Sequence, residues 1–195
     1  MSAIFSDTPP LLLFVNMQNE YVLPGRKHTM SDAGRVQQTC GVLLDHWREQ
    51  GWPVAHLRRV AQAAWFNPAS NLTDWLDRFK PRPGELTFDH SLPSAYSSPS
   101  FADYMANIGS VKLVMAGFSL DETILATVID GFHRGNNWSV ATGASATKSS
   151  TTTPEKYFRM SLIETIRRYA KIVDSSALLE DPCNLKSVPL SAEGI

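Results

Sequence analysis

The sequence predicts an α/β fold, a three-layer α/β/α sandwich around a six-stranded parallel sheet. Three observations carry this. Short apolar runs alternate with amphipathic stretches along most of the chain. The first run, Leu11–Val15, is apolar without a break, as in a strand buried on both faces. No internal repeat or heptad points to a solenoid or a coiled coil.

Taken in order, the elements read as follows. Leu11–Val15 is the first strand, and a loop with Pro24 and Gly25 follows. Ser31 or Asp32 offers an N-cap for a long helix, whose apolar face is Val36, Cys40, Leu43, Leu44 and Trp47. Gly51 and Pro53 stop it. Val54–Val60 is the second strand. Leu72–Phe79 is at most a short helix, closed by Pro81, Pro83 and Gly84. Leu86–Asp89 is the third strand, Ser100–Asn107 a short helix and Val111–Ala116 the fourth strand. Asp121–Arg134 reads as a helix with an apolar body of Ile124, Leu125, Val128, Ile129 and Phe132. Trp138–Thr142 is the fifth strand, and Lys148–Thr153 a polar loop. A helix then starts with Thr153 as cap and Pro154 at its first position. It carries Phe158, Leu162, Ile166 and Tyr169 on one face. Lys171–Val173 is the sixth strand.

Composition bounds the function. The 195 residues suit one domain, and 43% hydrophobic content supports a core. Charged residues make up 19%, and the net charge is −1, so no basic surplus exists for nucleic acid. Arg58–Arg59 and Arg167–Arg168 read as solvated or locally paired cations. The longest apolar run has five residues, against about 20 needed to span a bilayer. No signal peptide is visible, and Cys40 and Cys183 form neither a disulfide framework nor a metal spacing. The expectation is a cytoplasmic protein that contacts neither membrane nor nucleic acid. Cys40 lies on the apolar helix face and reads as core.

In such sheets ligands sit beyond the carboxyl ends of the strands. Asn16 follows the first strand within Leu13–Tyr21, and His90 follows the third within Asp89–Tyr96. Thr123 follows the fourth within Gly117–Thr127. These segments, in this order and spacing, resemble the isochorismatase-like family of cysteine hydrolases over about residues 10 to 180. Asn16-Met17-Gln18-Asn19-Glu20-Tyr21 resembles the family's Asp–Met–Gln–Asn–Asp–Phe signature. Pro83-Gly84-Glu85 and Ser94-Ala95-Tyr96 resemble the pieces that flank its Lys segment. Gly117 to Thr127 resembles its Gly–x–x–Thr–x–x–Cys–Val–x–x–Thr segment.

The resemblance implies a Rossmann-like hydrolase domain over 10–180, an N-terminal extension over 1–9 and a C-terminal tail over 181–195. It also implies a small-molecule ligand and a homo-oligomer, dimer or tetramer. No cofactor is expected. The family works with an Asp that relays protons, a Lys that assists and a Cys that attacks. Those positions here hold Asn16, His90 and Thr123, and all three differ. An amide hydrogen-bonds but does not relay a proton as a carboxylate does.

The family's non-proline cis peptide would fall at Phe118–Ser119. The backbone N–H groups of Ser119 and Thr123 would then form an oxyanion hole, which needs no particular side chain. Gln18, Trp65 and Tyr96 are the further pocket candidates. The family's Asp–x–His metal motif is replaced by Leu57-Arg58-Arg59-Val60, so no metal is expected there.

Two main readings follow. In one the protein is a catalytically impaired relative that keeps a pocket for a small carbonyl or carboxylate compound. In the other it is an active hydrolase of a small amide, ester or vinyl ether. Thr123 would then be the nucleophile, His90 the base and Asn16 the group that orients the imidazole. A third reading is a structural or partner-binding protein with a closed pocket. Asp121 and Glu122 read as complements to a helix dipole, and Glu20 as the best spare carboxylate.

Overall fold

The structure is a computed structural model that describes residues 8–62, 65–149 and 152–185. Six strands form one wholly parallel sheet: β1 (Leu11–Val15), β2 (Val54–Arg59), β3 (Leu86–His90), β4 (Leu113–Phe118), β5 (Trp138–Ala146) and β6 (Lys171–Val173). Their spatial order is β3-β2-β1-β4-β5-β6. The order therefore reverses between β1 and β4, and their carboxyl ends flank the crevice where ligands settle in open α/β sheets.

Among the described residues, five α-helices cover the sheet: α1 (Ala33–Gln50), α2 (Pro99–Asn107), α3 (Leu125–His133), α4 (Glu155–Ile166) and α5 (Ser175–Glu180). Alternate strand residues feed two cores. Leu12 and Phe14 join Val36, Cys40, Leu43 and Trp47 of α1 on one face. Leu11, Leu13 and Val15 join Phe101 of α2, Val128 of α3 and Ile166 of α4 on the other. This two-sided burial explains why β1 reads as an unbroken apolar run.

Gly51 ends α1 in the left-handed conformation, and the next amide, that of Trp52, bonds back to the Trp47 carbonyl. Gly117 has a stricter reason to be glycine. Its φ is +116°, and a Cβ there would lie 2.3 Å from the Val15 carbonyl oxygen. The β4–β5 register also shifts between Met115 and Gly117. No side chain fits where β4 passes β1 at the crevice.

Some expectations shift. β4 starts and ends two residues later than expected, and β5 continues to Ala146. Past the shift in register, Ser145 and Ala146 pair with Gly117 and Phe118, which extends the ladder. The helix expected from Asp121 opens instead with a wide, π-type turn over Leu120–Ile124. Phe132, expected in the apolar body of that helix, is 53% exposed. Pro154 stands before α4 in an extended conformation, so it is the N-cap rather than the first helical residue, and Thr153 is displaced from that role. The face of α4 that is buried is Ile163 and Ile166, with Phe158 and Leu162 half-buried. Leu72–Phe79 holds two 3₁₀ turns, Asn71–Thr73 and Asp77–Phe79. The expected N-terminal extension and C-terminal tail fall largely outside the described residues.

No helix among the described residues is long and apolar enough to cross a membrane.

Candidate functional site

Asn16 leaves β1 in a left-handed conformation, with φ of +52°. Asparagine is among the few non-glycine residues that enter this region readily. Its amide bonds to the Leu57 carbonyl, and its own carbonyl accepts from the Gln18 amide at 2.7 Å. This turn aims the side chain across the crevice. His90 arrives as the last residue of β3, and Thr123 sits inside the wide turn after β4. The three side chains, 74 and 107 residues from Asn16 in sequence, meet in one buried cluster.

Asn16 is the hub. Its Nδ2 donates to Thr123 Oγ1 at 3.0 Å and to the Tyr21 hydroxyl at 3.1 Å. Its Oδ1 lies 2.9 Å from His90 Nε2. His90 Nδ1 lies 2.7 Å from the Leu92 carbonyl oxygen. A carbonyl only accepts, so Nδ1 carries a proton. With Oδ1 facing Nε2, the second ring nitrogen must carry one too, which is the imidazolium form.

Burial, opposed by the Leu92 hydrogen bond, pushes the His90 pKa down to about 4. At neutral pH the ring is therefore uncharged, and Nε2 holds a lone pair. Oδ1 against that lone pair is repulsive. A half-turn of the Asn16 amide removes the conflict. Nδ2 then donates to Nε2, while Oδ1 accepts from the Thr123 and Tyr21 hydroxyls. The direction of these hydrogen bonds reports the charge on His90.

The same geometry bears on catalysis. His90 and Thr123 share no hydrogen bond, and the Asn16 amide stands between them. The arrangement in which Asn16 merely orients an imidazole that touches Thr123 is thus absent here.

Around the cluster, Tyr21 stacks on Phe118 at 5.6 Å between ring centroids. Burial raises the Tyr21 pKa well above the usual phenol range, so it stays protonated. Arg59, the last residue of β2, pairs with Glu122 at 2.7 Å and lies over the Phe66 ring at 4.7 Å. Arg58 instead pairs with Asp89 and covers Trp75. These cations occupy the segment where the family's metal motif would stand.

The remaining sequence candidates fall as follows. The Phe118–Ser119 peptide is cis, and both residues are buried beside Thr123. Gln18 is wholly buried but committed to main chain: Nε2 donates to the Arg59 and Thr73 carbonyls, and Oε1 accepts from the Arg59 amide. It holds loops, and its side chain makes no hydrogen bond to the side chains of Asn16, His90 or Thr123. Trp65 is 37% exposed and packs on His28, Arg26 and Lys27. Tyr96 bonds Asn136 and Trp138 in the opposite core. Trp138 begins β5, so Tyr96 lies toward the other end of the sheet from Thr123. Neither Trp65 nor Tyr96 joins the Asn16 cluster. Glu20 is buried and paired with Arg26. Asp121 accepts from the Lys148 amide, and Glu122 is Arg59's partner, so the latter does more than complement a dipole.

Sequence reasoning missed Tyr21, Arg59 and Phe66 as site residues. Tyr21 had a signal: it adds a hydroxyl where the family signature has Phe. Arg59 had none, because Glu122 lies 63 residues away.

Comparison with known proteins agrees with this architecture. The family model for the isochorismatase domain matches residues 10–176. An uncharacterised isochorismatase family protein of Bacillus subtilis (strain 168), YddQ, is 25% identical over 139 residues, 70% of this chain and 77% of that protein. The solved structure of an isochorismatase-family protein from Chromobacterium violaceum superimposes with a TM-score of 0.80 at 25% identity, covering 93% of this chain and 98% of the other. N-carbamoylsarcosine amidase from Thermoplasma acidophilum shares the fold at a TM-score of 0.64 and 18% identity, covering 86% and 97%. With the model spanning most of the chain, and the switch-point sheet placing positions 16, 90 and 123 together, this protein belongs to the isochorismatase family.

Proposed function

We propose that this chain is a family member impaired in cysteine-hydrolase chemistry, which keeps a site for a small carbonyl or carboxylate compound. One observation carries the reading: the Asn16 amide bridges His90 and Thr123 and separates them. An amide in that place adds no charge to the cluster and relays no proton as a carboxylate does. Thr123 offers a hydroxyl in place of a thiolate, without a base in contact. The main-chain amides of Ser119 and Thr123, at the cis peptide and in the wide turn, supply the donors for a ligand oxygen. Arg59, beside the cluster, supplies a positive charge for a carboxylate once it parts from Glu122.

The experiment is a turnover screen with amide, ester and vinyl-ether substrates. The wild type is expected to stay at background. In the triple variant Asn16→Asp, His90→Lys, Thr123→Cys, the new thiol is expected to react with iodoacetamide faster than free cysteine. Labelling no faster than free cysteine would count against an intact scaffold. Wild-type turnover that Thr123→Val abolishes would establish the second reading, an active hydrolase with Thr123 as nucleophile. The proposal extends to a homo-oligomer, on the strength of the family resemblance, and to the cytoplasm, on the strength of two cysteines that form no disulfide framework. Sedimentation equilibrium tests the oligomer.

A further inference from the structure

Two adjacent arginines end β2, and their guanidinium groups are spent differently. Arg58 takes Asp89 with two prongs, Nε to Oδ1 at 2.9 Å and Nη2 to Oδ2 at 2.8 Å. Arg48 takes Glu85 by the same Nε–Nη2 edge, at 2.7 and 2.9 Å. Both pairs are two-pronged, the geometry in which a guanidinium holds a carboxylate best. Arg59 is left incomplete. It gives Glu122 a single bond, Nη1 to Oε1 at 2.7 Å, and its Nε is buried with no hydrogen-bond partner. The second oxygen of Glu122 accepts no hydrogen bond among the described residues.

Burial sharpens the contrast. The Arg59 side chain is 14% exposed and that of Arg58 30%. The better-buried guanidinium is the one with an N–H to spare, against the general rule that buried donors find acceptors. The rest of Arg59 is fixed. Gln18 accepts from its main-chain N–H and donates to its carbonyl, and the guanidinium lies over the Phe66 ring at 4.7 Å. Glu122 is held less firmly. Its side chain is 32% exposed, and it stands on the wide turn one residue before Thr123. Arg59 also neighbours Tyr21, whose hydroxyl belongs to the Asn16 cluster.

We propose that Glu122 is an internal stand-in for a ligand carboxylate: it caps Arg59 until an anionic ligand enters the Asn16 site and displaces it. Released from Glu122, the guanidinium offers the incoming carboxylate the Nε–Nη2 edge that Arg58 and Arg48 use. Arg59 then selects a carboxylate over a neutral compound of the same shape, and Glu122 sets how tightly that carboxylate must bind. This rests on the reading that the site takes a small carbonyl or carboxylate compound.

The test is NMR titration of the full chain with pyruvate and with pyruvamide, its neutral counterpart, at constant ionic strength. Pyruvate is expected to bind about tenfold more tightly. Glu122→Gln is expected to tighten pyruvate about fivefold and to leave pyruvamide unchanged. The double variant Arg59→Gln, Glu122→Gln, which strands neither charge, is expected to bind the two equally. Pyruvate weakened or unchanged in Glu122→Gln would overturn the stand-in, because a residue that merely props Arg59 gives that result. Pyruvate still preferred in the double variant would overturn the role of Arg59. Pyruvamide bound by the wild type as tightly as pyruvate would do the same and leave the ligand site standing. Neither compound bound at tens of millimolar would count against the site itself, and the inference would fall with it.

Discussion

The Asn16 side-chain amide and His90 Nε2 meet at 2.9 Å at the carboxyl end of the sheet, and the partner of the buried imidazole is therefore an uncharged group. A carboxylate at position 16 would hold the imidazole protonated. The amide leaves burial to decide, and burial favours the neutral ring.

The pH dependence follows. The unfolded chain takes up a proton at His90 near pH 6.5, whereas the native ring resists until about pH 4. Its contribution to stability is therefore full above about pH 6.5 and is lost as the pH falls toward 4. Urea denaturation between pH 4 and 7 should show this fall, and His90→Gln should flatten it. Nitrogen-15 spectra at pH 7 should show a proton on Nδ1 and none on Nε2.

Asn16→Asp alone should reverse that preference. The buried carboxylate, 2.9 Å from the ring in wild-type geometry, should lift the His90 pKa above its ordinary 6.5. NMR titration of His90 measures it. A ring that still titrates near pH 4 would mean that the new carboxyl is itself protonated.

A second buried network fixes the far edge of the sheet. Glu85 takes Arg48 on both oxygens, at 2.7 and 2.9 Å, and also accepts from His56 and the Arg82 amide. Burial opposes its charge, but Arg48 and the other donors win and hold its pKa at about 2. Its stabilising effect is present above the ordinary carboxylate pKa and fades as the pH falls toward 2. Glu85→Gln should cost about 3 kcal/mol at neutral pH, because Arg48 is left buried beside an uncharged partner. Chemical denaturation gives the figure.

Gly117→Ala should be worse than an ordinary glycine substitution. The new methyl would sit 2.3 Å from the Val15 oxygen at a φ that L residues avoid. A loss of about 3 kcal/mol or more is expected in urea melts, or failure to fold. Gly34→Ala, in α1 with open space around it, is the control and should be neutral or slightly stabilising.

Much of this was legible in the chain itself. The unbroken apolar run of β1 announced two-sided burial. The spacing of Val36, Cys40, Leu43, Leu44 and Trp47 marked the inner face of α1, and all five are buried. The carboxyl ends of β1, β3 and β4 were the places to look, because parallel sheets present ligands there, and the structure brings Asn16, His90 and Thr123 together at those ends. Element edges were less legible. Pro154 has the same side chain whether it stands before a helix or opens one, and only the backbone angle decides.

The sequence by itself determined the periodicities, hence the layers, and the chemical identity of Asn16, His90 and Thr123. Only the tertiary structure decided that Asn16 stands between the other two, that Tyr21 joins them and that Gln18 is spent on main chain. It also decided that Arg59 meets Glu122. The physical reason is range. Local pattern fixes which face of an element is apolar, but which polar groups meet depends on a register between strands far apart in sequence, and on burial that no single segment encodes.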